Sequence, residues 1–145
     1  MAIERQLFDW VLDAFEGFAH DIDGLLHSTS HRRGLKVWYG EAKREHYEAQ
    51  LIRTDDGAGL EIGFHSEYTK SEENDAVLAR LLVAEGEWRP ELGAEAQAGP
   101  FIGADHWRRI SEVWEAPDPD DPETAIEIAA RLADYVIALE PVRRA

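Results

Sequence analysis

The sequence contains no cysteine, and its one methionine is Met1. The absence of cysteine excludes disulfide bonds, thiolate zinc sites and catalysis by a cysteine nucleophile. Basic residues are also scarce, because the 145 residues include 15 Lys and Arg against 30 Asp and Glu, a formal net charge of -15. Such a charge repels phosphates and anionic lipids. We therefore expect no binding to nucleic acid or to membranes.

Long hydrophobic runs are missing too, and the start of the chain, MAIERQLFDW, lacks the pattern of a signal peptide. We therefore expect a cytoplasmic protein. Apolar residues are nevertheless plentiful, at 44% hydrophobic with five Trp, five Phe and four Tyr, which is too many for a disordered acidic chain. Because a length of 145 residues is typical of one domain, residues 1–145 are predicted to share one core.

Helical spacing of apolar residues predicts an amphipathic first helix over residues 7–26 that ends before Ser28. A second helix is predicted to begin with Thr69 or Ser71 as its cap and to end at Gly86. Acidic residues follow the cap, where the positive end of the helix dipole favours them.

Alternation of apolar and polar residues predicts three strands at 35–39, 46–51 and 60–65. A loop at 40–44 separates the first two. The other pair is joined at Asp56-Gly57, a dipeptide that favours a tight hairpin turn. The three strands are therefore predicted to form an antiparallel meander.

Residues 87–105 are rich in Gly and Pro, and only Phe101-Ile102 indicates a short strand. Residues 107–115 are predicted to be extended. Asp121 and Pro122 have the chemistry of a cap and a first helical residue, so they predict the start of a final helix.

The predicted order is helix, three strands, helix, one or two strands, helix. This order indicates an α+β domain, with one antiparallel sheet and helices packed mainly on one face. It resembles the element order of the small acidic dimeric chaperones of type III secretion. The resemblance implies a dimer that binds another protein.

A first candidate site consists of His20, Asp23 and His27, spaced so that one helical face could present them to a metal ion. That face lies opposite the apolar stripe of the predicted helix. We therefore expect a solvated polar face here, and a surface loop at 31–33.

The main candidate site arises from strand pairing. If positions paired across the Asp56-Gly57 turn sum to 113, Glu48 lies opposite His65 and His46 lies opposite Glu67. The apolar residues of both strands then share the other face. Two imidazoles and two carboxylates are thus predicted to converge on the polar face.

The neighbouring strand extends this candidate site. A five-residue loop at 40–44 would place Trp38 beside His46 and Lys36 beside Glu48, with Val37 against Tyr47. The polar quartet could bind a divalent metal ion, the only cofactor that the sequence indicates, or supply a His-Glu pair for acid-base catalysis. The alternative is a set of ordinary cross-strand pairs on a water-facing sheet.

A third candidate is a pocket on the strand predicted at 107–115. One face of this strand reads Arg108, Ile110, Glu112 and Trp114. Glu112 would be buried or paired with an arginine, in a pocket also lined by Trp88 or Phe101. The alternative is an edge strand, in which inward charges discourage aggregation.

The sequence contains no glycine-rich phosphate loop and no nucleophile elbow. Our leading hypothesis is therefore a non-enzymatic binding or adaptor module that self-associates and holds a protein or a small ligand on its sheet or aromatic-rich edge. The competing hypothesis is a metal-dependent or acid-base enzyme built on the His/Glu quartet.

Overall fold

The computed structural model describes the backbone of residues 2–145 and the side chains of residues 6–145. The helices of this part are α1 (Ala2–Phe18), α2 (Ser71–Val83), α3 (Glu85–Leu92) and α4 (Pro122–Arg144). The strands are β1 (Leu26–His31), β2 (Gly34–Tyr39), β3 (Glu45–Thr54), β4 (Gly57–Ser66), β5 (Gln97–Pro100) and β6 (Arg108–Glu115).

The six strands form one antiparallel sheet in the order β1-β2-β3-β4-β6-β5. The helices pack on one face of this sheet, where α1 contacts β1 and β2 and α4 contacts β3 and β4. The predicted α+β class and the one-sided packing of helices are confirmed. Among residues 2–145, no helix is long and apolar enough to cross a membrane.

The core lies between the sheet and the helices. Alternate sheet residues such as Tyr47, Phe64 and Ile110 are buried there against Leu132 and Val136 of α4. Because side chains alternate across a strand, their neighbours in sequence point to the opposite face, away from the four helices of residues 2–145. Polar side chains on that second face form the candidate site described below.

The prediction for the first helix is wrong at its end. Helix α1 stops at Phe18 rather than at residue 26, and Gly24 adopts a φ of 106° in the connection that follows. Strand β1 then includes Ser28, which was predicted to follow the helix. Pairing with β2 outweighs the tendency of hydroxyl side chains to compete for backbone hydrogen bonds.

Because α1 ends at Phe18, the three residues of the first candidate site do not lie on this helix. His20 lies in the turn after α1, where it contacts the Gly17 carbonyl, and His27 lies in β1. The two imidazoles and Asp23 therefore share no helical face. The solvated character expected for His20 is observed, since its side chain is exposed.

The predicted end of the second helix is also wrong. Helix α2 ends at Val83. Gly86, the predicted end of the helix, lies inside α3, which continues into the segment 87–105 where no helix was predicted. Burial of Trp88 and Leu92 explains why α3 forms despite Gly86 and Pro90. The N-cap of α2 is Lys70, so neither Thr69 nor Ser71 caps it.

Two further predictions concern the second half of the chain. The short strand expected at 101–102 lies instead at β5, and β6 is an inner strand between β4 and β5, which contradicts the edge-strand alternative. The start of the last helix is confirmed: the Asp121 side chain accepts a hydrogen bond from the Glu123 amide, and Pro122 is the first helical residue.

Candidate metal centre

The β3-β4 hairpin positions the His/Glu quartet. Its turn contains two residues, with Thr54 paired to Gly57, so paired positions sum to 111 and not to the predicted 113. His46 therefore lies opposite His65, and Glu48 lies opposite Gly63. A shift of two residues keeps every side chain on its original face. The predicted convergence consequently survives the error in register.

The predicted register of the neighbouring strand is correct. Lys36 pairs with Glu48, and Val37 pairs with Tyr47. The Trp38 ring stacks on His27 with 5.4 Å between ring centroids, and Lys43 Nζ lies 5.2 Å from its centre. Trp38 thus packs in a small cluster beside the quartet.

Four ligand atoms of the quartet form a ring in which nitrogen and oxygen alternate. His46 Nε2 lies 3.1 Å from Glu48 Oε1 and 3.4 Å from Glu67 Oε2. His65 Nδ1 lies 3.2 Å from each of the same two oxygens. All four atoms lie within 4.8 Å of one another.

These separations fit a cation at the centre of the ring. Ligand atoms that bind zinc at about 2.0–2.2 Å with tetrahedral angles lie roughly 3.3–3.6 Å apart. The four N···O separations of 3.1–3.4 Å are close to that range. A shift of a few tenths of an ångström would complete the coordination.

Contacts outside the ring define which nitrogen of each imidazole carries a proton. His46 Nδ1 lies 3.0 Å from the Lys43 carbonyl oxygen, which can only accept a hydrogen bond. His65 Nε2 lies 2.8 Å from Glu61 Oε2. Each imidazole therefore donates outward and turns its other nitrogen toward the carboxylates of the ring. Metal-bound histidines have this outward hydrogen bond to a carbonyl or a carboxylate.

The electrostatics of the centre favour a protonated His65 beside ionised glutamates. Burial alone would lower the pKa of His65, but Glu61, Glu48 and Glu67 raise it well above its usual value. Burial likewise opposes ionisation of the glutamates, yet hydrogen bonds from His46 and His65 lower the pKa of Glu67 to about 2 and hold that of Glu48 well below its ordinary value. The carboxylates are therefore ionised at neutral pH. Two protons, or one divalent cation, can occupy the space between them and the imidazoles.

The centre is enclosed. The side chains of His46 and His65 are 1% and 0% exposed, and Glu67, which follows the last residue of β4, is the most exposed of the four at 14%. The Phe101 ring covers His65 edge-on, with 4.7 Å between ring centroids, and packs in turn on Trp107. Four protein ligands in a buried site are typical of an ion that is held rather than one that binds substrate.

Sequence reasoning missed the carboxylate behind His65. Glu61 is fully buried, and it accepts hydrogen bonds from Gln50 Nε2 and Ser111 Oγ, both at 2.7 Å. Its shared face with His65, four residues away on one strand, was a visible signal. The contribution of Ser111 depends on pairing between β4 and β6, which no local pattern indicates.

Gly63 allows β4 to approach β6 beside the centre. It pairs with Glu48 on one side and with Ser111 on the other. A Cβ atom at this position would lie 2.3 Å from the Ile110 carbonyl oxygen, and the φ of 156° is one that other residues seldom adopt. Only glycine fits where β4 approaches β6 so closely.

The predicted pocket around Glu112 is a buried ion pair on the helix face. Glu112 Oε1 accepts hydrogen bonds from Arg131 Nη2 and the Tyr135 hydroxyl, each at 2.7 Å, and Trp114 Nε1 donates to Oε2 at 2.8 Å. The predicted pairing of Glu112 with an arginine is therefore observed.

Two other residues of that prediction bond to partners other than Glu112. Trp88 is a fully buried core residue whose Nε1 donates to the Leu81 carbonyl oxygen, and Arg108 forms an ion pair with Asp75 at 2.8 Å. Of the predicted pocket residues, the structure thus brings only Trp114 to Glu112.

No known protein family matches this chain, and no curated protein or solved structure matches it either.

Proposed function

We propose that this chain is a metal-binding protein that holds one divalent transition-metal ion between His46, Glu48, His65 and Glu67. The observation that carries the proposal is the alternating ring of two imidazole nitrogens and two carboxylate oxygens, with N···O separations of 3.1–3.4 Å. The outward hydrogen bonds of both imidazoles support it, because they turn the inner nitrogens toward the two carboxylates, where a cation can replace the protons between them.

The chemistry of the donor set selects the class of ion. Calcium and magnesium prefer sites made of oxygen ligands, whereas imidazole suits zinc and its first-row neighbours. Two nitrogens and two oxygens at tetrahedral spacing favour zinc. The predicted cofactor, a divalent metal ion, thus becomes a specific proposal.

Enclosure of the centre favours a bound structural or stored ion over a catalytic one. Catalytic zinc sites keep one position for water or substrate, whereas here four side chains supply all four positions and Phe101 covers His65. The enzyme hypothesis is therefore the weaker alternative. The adaptor hypothesis, in which a protein or a small ligand is held on the sheet or its aromatic-rich edge, is compatible with a metal ion that stabilises the sheet.

Metal content is the direct test. Purified protein loaded with zinc and desalted should retain about one ion per chain by elemental analysis, as expected for a single four-ligand site. His65→Ala and Glu67→Gln should lose the ion. The control is His20→Ala, which alters an exposed histidine outside the centre.

Two outcomes would contradict the proposal: a wild-type protein that retains no zinc and gains no stability from it, or retention that is equal in all four proteins. Glu67→Gln keeps the size of the side chain, so it remains informative if His65→Ala fails to fold. Calcium at the same concentration should not compete with zinc.

A further inference from the structure

The two edges of the sheet differ in their protection against pairing. The β5 edge is four residues long and ends in Pro100. The β1 edge is six residues long, LHSTSH, with no proline, lysine or acidic residue. Natural proteins use short strands, proline and charge to block sheet edges, and β1 has none of these devices.

Backbone groups of three β1 residues point away from the sheet. Leu25 accepts a hydrogen bond from the Gly40 amide, which continues the β1-β2 register. Bonded and non-bonded pairs alternate in an antiparallel ladder. It follows that His27 and Thr29 bond to β2, while the N–H and C=O groups of Leu26, Ser28 and Ser30 face outward.

We propose that a second copy of this chain pairs with β1, antiparallel and around a two-fold axis at Ser28. In this register Ser28 meets Ser28 of the second copy, and Leu26 meets Ser30 on either side. All three outward-facing residues then exchange backbone hydrogen bonds. The two sheets become continuous, and the proposal is independent of the metal centre on the helix-free face.

Charges at the two ends of β1 select a second copy over an unrelated strand. Arg33 follows β1, and its guanidinium has no carboxylate partner in the described part of the chain; it donates one hydrogen bond there, to the Leu51 carbonyl oxygen at 3.4 Å. Asp23 precedes β1; the Arg144 guanidinium donates to its backbone carbonyl oxygen, and its carboxylate forms no ion pair within residues 6–145. Antiparallel pairing at Ser28 brings Arg33 of each copy near Asp23 of the other.

Apolar side chains lie beside the same edge. Leu25 directly precedes β1 and is 69% exposed. Trp10 is 40% exposed and follows Asp9, whose carboxylate accepts a hydrogen bond from Ser30 of β1. A second copy would cover apolar surface as well as backbone groups, which increases the stability of the pairing.

Light scattering after size-exclusion chromatography tests the proposal on the full chain. Wild-type protein at micromolar concentration should have twice the chain mass of 16.4 kDa. Ser28→Pro should be monomeric, because it removes an outward N–H that the fold itself does not use. Ser28→Ala is the matched control and should remain dimeric.

Charge variants test the two-fold arrangement separately. Arg33→Glu and Asp23→Arg should each weaken dimerisation by roughly tenfold or more. Each substitution gives residues 23 and 33 the same charge, and the two-fold axis repeats this repulsion at both ends of the interface. Combining the two substitutions should restore it. A monomeric wild type, a folded Ser28→Pro dimer, or a combined variant as weak as the single ones would overturn the proposal. If Ser28→Pro does not fold, the charge variants decide.

Discussion

At the scale of single residues, Glu61 lies outside the four proposed ligands but holds one of them, His65, in position. Glu61 accepts from His65 and is itself fixed by Gln50 and Ser111. Histidine ligands depend on such partners for the correct tautomer and ring orientation. A four-ligand description of the centre would therefore omit the residue that orients His65.

We expect Glu61→Gln to retain the ion with an affinity lower by roughly 10–100-fold, because a neutral amide is a weaker partner for the His65 ring than a carboxylate. Competition with a zinc chelator measures the change. Glu72→Gln, at an exposed position in α2, serves as control. Equal affinities in the two variants would mean that Glu61 does not orient His65.

Replacing either of two glycines by alanine should change the stability of the protein, in opposite directions. Gly63→Ala should destabilise the protein by about 1–3 kcal/mol, because its Cβ would overlap the Ile110 carbonyl oxygen. Gly86→Ala lies within α3 with nothing within 4 Å of its Cβ and should stabilise it by about 0.5–1 kcal/mol. Urea unfolding measures both. Destabilisation by Gly86→Ala, or no destabilisation by Gly63→Ala, would contradict the expectation that a Cβ atom is tolerated at residue 86 and clashes at residue 63.

At the scale of elements, a buried ion pair ties β6 to α4. Burial would raise the pKa of Glu112, but hydrogen bonds from Arg131, Trp114 and Tyr135 lower it below its usual value. A lowered pKa in the folded state means that the ionised carboxylate stabilises the fold. That contribution is complete above the unfolded pKa of about 4.3 and declines as the pH falls toward the folded value.

Accordingly, Glu112→Gln should cost more stability at pH 7 than at pH 3.5. Denaturant unfolding at both pH values gives the two differences from wild type. Glu115→Gln, at an exposed position on the same strand, should show almost no difference at either pH. A penalty for Glu112→Gln that does not shrink in acid would mean that ionisation of Glu112 contributes nothing.

Comparing the predicted strands and helices with the observed ones shows how much of the structure could be predicted from the sequence. The alternation in β3 and β4 was sufficient to place four polar side chains on one face, even though the two-residue turn lies at Asp55-Asp56, one residue earlier than predicted. The end of α1 could not be predicted, because β1 forms only when β2 is available to pair with it.

The same reasoning explains the success at α4 and the failure at Glu61. Asp121 and Pro122 act through local chemistry, and their prediction as a helix start is correct. The role of Glu61 depends on Ser111, which is fifty residues away along the chain. Patterns read along one strand cannot report such a partner.

At the scale of the whole molecule, the metal ion and the fold are expected to be thermodynamically linked. An ion that binds only the folded state adds about 2.7 kcal/mol of stability at a hundred times its dissociation constant. For a chain of this length, that corresponds to a rise of roughly 5–10 °C in melting temperature.

Differential scanning fluorimetry of metal-free protein should show this rise with zinc and lose it when a chelator is added. His46→Ala should show no rise, and calcium should have no effect on the wild type. An equal response to zinc in His46→Ala would place the stabilising ion elsewhere on the acidic surface.

The position of the four ligands along the chain has a consequence for engineering. His46, Glu48, His65 and Glu67 all belong to one hairpin and the residue that follows it. Pairing of β3 with β4 is therefore sufficient to bring the backbone positions of His46 and His65 together. The same compactness makes the segment a candidate for transplantation into other antiparallel sheets that supply a neighbouring strand like β6.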